Sequence, residues 1–172
     1  CENCIGVCPT EFLEMNKDNK VDLSKDKKKD CVSCGQCILA CPVGAIEGVG
    51  EFEELQKMFQ DKNIVTVVQF APSLRVSSGE ELGLKVGEIA TGQLVAGLKK
   101  IGFNYVFDVN FGADITTMVE AEELVQRIKN RSSLPMFTSC CPAWVKYIEF
   151  YRPDLIPNLT TARSPQLHSA GM

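Results

Sequence analysis

Cysteine spacing constrains this chain more than any other feature. Cys31-x2-Cys34-x2-Cys37-x3-Cys41-Pro42 is a complete run of the kind that holds 4Fe–4S cubes. A tight loop presents three thiolates to one cube, and Gly35 gives the backbone room to approach. The fourth cysteine, followed by proline, turns away to a second cube. Cys1-x2-Cys4-x3-Cys8-Pro9 repeats the run with its first member missing, so the sequence is expected to begin inside a motif and to be a fragment. The crossing rule then assigns Cys8, Cys31, Cys34 and Cys37 to one cluster. Cys1, Cys4 and Cys41 go to the other, which lacks a ligand here. Zinc also uses closely spaced cysteine pairs, but the spacing ending in proline, nearly twice over, favours iron–sulfur.

Nine cysteines, seven of them within the first 41 residues, do not suit a secreted disulfide framework. At 172 residues there is room for a small domain and an ordinary one. A net charge of −4 offers no basic surface for nucleic acid. No apolar run reaches the roughly 18 residues that a membrane helix needs. Nucleotide-binding signatures are absent too, since Gly48-Val49-Gly50 is followed by Glu53 where a dinucleotide fingerprint needs glycine.

Between the two cysteine runs, Lys17–Asp30 is polar and reads as a solvated loop. Within it, Lys27-Lys28-Lys29 is the alternative candidate for docking an acidic electron carrier. Phe52, Leu55 and Phe59 recur at helical spacing and predict an exit helix, with a domain boundary near residue 60. Beyond it, Ile64–Phe70, Tyr105–Val109 and Leu134–Phe137 read as buried strands. Thr91–Ile101, Asp114–Ile128 and Pro142–Tyr151 read as helices, the second with Ile115, Met118, Val125 and Ile128 inward. Ser77–Val86 is open between helix and loop, and His168 is expected at the surface. The fold class is therefore an α+β ferredoxin-like two-cluster domain over 1–60, followed by an α/β parallel-sheet part over 61–172.

Thr138-Ser139-Cys140-Cys141-Pro142-Ala143-Trp144 sits where the third strand would pass into a helix. Pro142 suits a first helical turn, which places Cys141 at the N-cap, beside unpaired N–H groups and the positive dipole end. Both favour thiolate, the metal-binding form; two small buried hydrophobes are the other possibility. Strand tips Ala71-Pro72-Ser73 and Asp108-Val109-Asn110 would share that edge of a parallel sheet, where such sheets place ligands. Glu120 and Glu123 lie three apart on one helical face and, from spacing alone, are solvated charges with Arg127.

TSCCPAW resembles the first active-site signature of the iron-only (FeFe) hydrogenases, and VVQFAPSLR, FNYVFDVNFGAD and ARSPQ extend the resemblance over nearly the whole chain. It implies reversible conversion of H2 to protons and electrons at an H-cluster, a 4Fe–4S cube linked to a diiron centre. It also implies Cys141 as a cube ligand, Cys140 as the thiol that passes protons, and Pro72 and Ser73 as packing around the diiron ligands. Glu120, Glu123 and Thr160 fall on the proton channel, Thr160 standing where the family more often has serine. The Met-Pro-Cys and Cys-x3-Cys segments that complete the H-cluster are not among these residues, so this fragment alone is expected to be inactive. Ferredoxin or another electron-carrier protein or subunit is the expected partner, and the cytoplasm of an anaerobe, or a hydrogenosome, the setting. The alternative is a non-catalytic relative in iron–sulfur assembly or sensing, which usually lacks the double cysteine, or an electron-transfer module.

Overall fold

The computed structural model describes all of residues 1–172. In chain order the elements are α1 (Asn3–Gly6), β1 (Leu13–Met15), β2 (Val21–Leu23), α2 (Gln36–Leu39), α3 (Phe52–Gln60) and β3 (Val67–Phe70). There follow α4 (Leu74–Glu81), α5 (Thr91–Ile101), β4 (Tyr105–Asp108), α6 (Val109–Asn130), α7 (Pro142–Tyr151), a 3-10 turn (Pro153–Asn158) and α8 (Pro165–Ala170). They pack as two compact units, neither a single stretch of chain: residues 1–50 with 141–159, and residues 51–140 with 160–172. The exit helix α3 thus packs within the second unit, while α7 packs within the first.

In the first unit, β1 and β2 form an antiparallel hairpin with Leu13 opposite Leu23. Asn16 builds the turn: its Oδ1 accepts the N–H groups of Asp18 and Lys20, both at 3.0 Å, which is the local bonding that makes asparagine a turn residue. Lys17–Asp30 is therefore not all loop, since β2 lies inside it. Of its lysines, Lys29 is paired with Glu11 at 3.1 Å. Gly35 opens α2 at φ 77°, a left-handed conformation that a side chain would resist.

The second unit is built on a two-stranded parallel sheet, Val67 opposite Tyr105 and Phe70 opposite Asp108, with α4 and α5 in the crossover between them. Thr66 ties the strand starts together. Its hydroxyl bonds Asn104 Oδ1 at 3.0 Å, and the same oxygen accepts its N–H at 2.7 Å. At the far tips, Arg75 of α4 pairs with Asp108, and Asp108 also caps α6 by accepting the N–H of Asn110 at 2.9 Å. Phe59 of α3 packs edge-on against Phe103, with ring centres 5.0 Å apart.

Three expectations are corrected. Leu134–Phe137 is not a sheet strand, and Leu134 is half exposed. Pro135 has no N–H to give a ladder, and what pairing there is comes from Phe137, whose carbonyl accepts the N–H of Thr160 at 2.8 Å. Second, α6 is longer than predicted and turned over: Met118, Val125 and Ile128 are exposed, while Gly112 and Thr116 are buried and Glu120, Glu123 and Arg127 are partly so. Close approach decides that orientation. A Cβ on Gly112 would lie 2.1 Å from the carbonyl oxygen of Pro165 and 2.3 Å from Ser169 Oγ, so only glycine lets α8 cross there. Third, His168 is no free surface residue, because its Nδ1 bonds the hydroxyl of buried Thr116 at 2.8 Å. The open stretch Ser77–Val86 is the end of α4 followed by a turn.

Candidate metal centres and proton-transfer residues

All seven N-terminal cysteines line one cavity of about 760 Å³ in the first unit, with Phe12, Leu13, Val32 and Ile46 among its apolar walls. No three of the chain's Cys, His, Asp or Glu side chains converge closely enough for a single metal ion. The spread of thiols around a large, apolar space instead suits a many-atom cluster, whose bulk fills the gap between sulfurs. The two cysteines that precede proline are matched. Cys8 Sγ accepts the N–H of Phe12 at 3.3 Å, and Cys41 Sγ accepts that of Ala45 at 3.2 Å, each four residues on. Burial pushes the Cys8 thiol up, but N–H groups and the Thr10 hydroxyl outweigh it and leave the thiol below its ordinary value. The N–H groups of Val43 and Ala45 likewise lower Cys41. Thiolates stabilised in this way are ready ligands, so the residues present fit an iron–sulfur group.

Cys141 is the N-cap of α7, in extended conformation (φ −93°, ψ 113°), with Pro142 in the first turn. Its carbonyl accepts the N–H of Val145 at 3.1 Å, while its thiol stays exposed, as does that of Cys140. Cys141 thus occupies the N-cap position expected of it, with no hydrogen bond from its side chain to the helix. The buried-hydrophobe alternative does not hold, since both side chains face outward.

In the second unit, Glu123 is the most heavily bonded carboxylate of α6. Its Oε2 accepts the Thr160 hydroxyl at 2.7 Å, the Thr161 N–H at 3.0 Å and the Thr161 hydroxyl at 3.1 Å. Oε1 takes Arg127 at 2.6 and 3.0 Å. Burial raises its pKa, yet these donors prevail and hold it at about 2. Glu120, one turn back, is moved the other way, first by burial and then by the charge of Glu123. Two neighbouring carboxyls thus have opposed proton affinities. Thr160 is itself buried, and Ser139 Oγ donates to its carbonyl at 2.9 Å, which ties the residue before Cys140 to this cluster. Pro72 and Ser73 lead into α4 beside the Arg75–Asp108 pair. Arg127 and Thr161 had no place in the site as read from sequence. The spacing of Arg127 four residues after Glu123 was the available signal for the first; nothing local pointed to the second.

A 4Fe–4S dicluster domain matches residues 1–45, and the family model described as iron only hydrogenase large subunit, C-terminal domain, matches residues 64–172. The chain belongs to the iron-only hydrogenase family. Iron hydrogenase 1 of Clostridium pasteurianum is 42% identical over 176 residues, covering 96% of this chain and 31% of its own length. A solved FeFe-hydrogenase variant from Chlamydomonas reinhardtii superposes with a TM-score of 0.63 at 38% identity, over 69% of this chain and 31% of that one. The cytosolic iron–sulfur assembly component 3 of Bos taurus is 32% identical over 170 residues, 90% of this chain and 35% of that protein. The chain thus spans about a third of the length of these relatives. No helix is long and apolar enough to cross a membrane.

Proposed function

We propose that this chain is part of an FeFe hydrogenase of the ferredoxin-dependent type, in which residues 1–60 carry electrons and residues 61–172 begin the catalytic domain. The reaction is 2H+ + 2e− ⇌ H2. The observation that carries the reading is the double cysteine: Cys141 is the N-cap of α7 with an exposed thiol, and a second exposed thiol, Cys140, precedes it in the chain. A metal ligand needs only the first; a proton donor beside the metal needs the second.

Cys8, Cys31, Cys34 and Cys37 would hold one 4Fe–4S cube, and Cys1, Cys4 and Cys41 three corners of another. Cys141 would hold one corner of the active-site cube. When bound, these groups supply the electrons and the site at which they meet protons. Protons travel separately, through Cys140, Glu120, Glu123 and Thr160. Within that set, burial and then the charge of Glu123 raise the proton affinity of Glu120. Glu123, kept ionised by Arg127 and the two threonines, orients the Thr160 hydroxyl and releases any proton at once. The electron partner would be a ferredoxin or a comparable carrier or subunit.

The similarity to an iron–sulfur assembly component supports one other reading, a non-catalytic cluster protein. Anaerobic maturation of the full-length protein separates them. Hydrogen evolution from a reduced ferredoxin supports the hydrogenase, and full iron loading without any hydrogen turnover supports the alternative.

A further inference from the structure

Asp30 and Tyr151 are 121 residues apart in sequence and joined by two hydrogen bonds. The Asp30 N–H donates to the Tyr151 oxygen at 3.0 Å, and the Tyr151 hydroxyl faces the Asp30 carbonyl at 3.4 Å. Lys146, five residues earlier on α7, lies 3.8 Å from the Asp30 carboxylate. The other carboxylate oxygen of Asp30 accepts the N–H of Cys31 at 2.8 Å. Two residues on, Ser33 adopts a left-handed φ of 57° and aims its N–H at Cys31 Sγ, 3.4 Å away. A non-glycine residue there costs of order 1 kcal/mol and persists only where neighbours hold it. The Tyr151 ring is itself fixed on its own helix, against Tyr147 at 5.0 Å and Phe150 at 4.8 Å, and Tyr147 stacks at 6.3 Å on Trp144.

We infer that Tyr151 is a positioning residue for the cube held by Cys31: its hydroxyl clasps the Asp30 backbone, keeps the Ser33 N–H on the Cys31 sulfur, and so sets that cube's reduction potential. The inference rests on the iron–sulfur reading above. Hydrogen bonds to ligand sulfur are one of the protein's levers on cluster potential. An N–H draws charge from the sulfur and favours the more negative, reduced cube; losing it moves the potential down. The same helix has Cys141 as its N-cap.

The test is a redox titration, followed by electron paramagnetic resonance, of the anaerobically reconstituted 172-residue chain. The signal abolished by Cys34→Ser identifies the cube. Tyr151→Phe keeps the ring and removes both hydrogen bonds; it is expected to shift that cube to a more negative potential with iron content unchanged. Tyr147→Phe, which leaves both hydrogen bonds between Tyr151 and Asp30 intact, is expected to leave it in place. An unmoved potential in Tyr151→Phe overturns the inference while leaving the iron–sulfur reading intact, whereas a wild-type chain that takes up no iron ends both. Should Tyr151→Phe not fold, amide exchange in the unmodified chain decides instead. The Asp30 N–H is expected to exchange roughly tenfold more slowly than the solvent-facing N–H of Lys27, the retardation of about one net hydrogen bond. Equal rates would overturn the clasp.

Discussion

The Thr160 hydroxyl donates to Glu123 at 2.7 Å across 37 residues of sequence, and it does so from a buried position beside Arg127. A carboxylate so bonded contributes stability that depends on its charge. With its folded pKa near 2, below the ordinary 4.5, that contribution is complete above about pH 4.5 and is lost as pH falls through 2. Glu123→Gln is therefore expected to destabilise the chain by about 2 kcal/mol at pH 7 and to flatten the acid limb of melting temperature against pH. An unchanged acid limb would mean that Arg127 and the threonines do not hold the charge.

Glu120 should respond to the same substitution. Burial and the Glu123 charge both raise its pKa, so removing that charge lowers it. Carboxyl titration by NMR in Glu123→Gln is expected to show Glu120 ionising at lower pH than in the parent chain. A shift upward would contradict the electrostatic coupling.

The two neighbouring thiols are expected to separate in the full-length enzyme. Cys141→Ser should lose the active-site metal, whereas Cys140→Ser should keep its iron and lose turnover, because a serine hydroxyl is far less acidic than a thiol of pKa about 8.5. Cys140→Asp should restore part of the activity. Iron content and hydrogen evolution on the three variants are the measurements, and the reverse pattern would exchange the two roles.

Two glycines make a stability test of the α6–α8 crossing. Gly112→Ala places a Cβ within 2.1 Å of the Pro165 carbonyl oxygen, and overpacking of that kind costs about 1–3 kcal/mol or more. Gly97→Ala, in the middle of α5 with nothing within 4 Å of the new Cβ, should stabilise by about 0.5–1 kcal/mol. Thermal melting of both variants checks the contrast.

What the sequence determined by itself is what depends on neighbours in the chain. Cysteine spacing and the prolines after Cys8 and Cys41 singled out the seven cysteines that come to line one cavity, and Gly35 took the left-handed turn expected of it. Cys141 before Pro142 became an N-cap because proline tolerates the first turn. Periodicity located α5 and α7 at their predicted residues and gave α3, β3 and β4 to within a few residues. Tertiary structure decided which way things face. Periodicity turned α6 inward on Met118, Val125 and Ile128, yet Gly112 admits α8, and Thr116, Glu123 and Arg127 find hydrogen-bond partners that outweigh the apolar stripe. Pro135 denied Leu134–Phe137 a ladder that its apolar composition suggested. The bonds of Tyr151 to Asp30 and of Thr160 to Glu123 join segments that no local pattern relates, because a hydrogen bond records where two chains meet and not how far apart they lie in sequence.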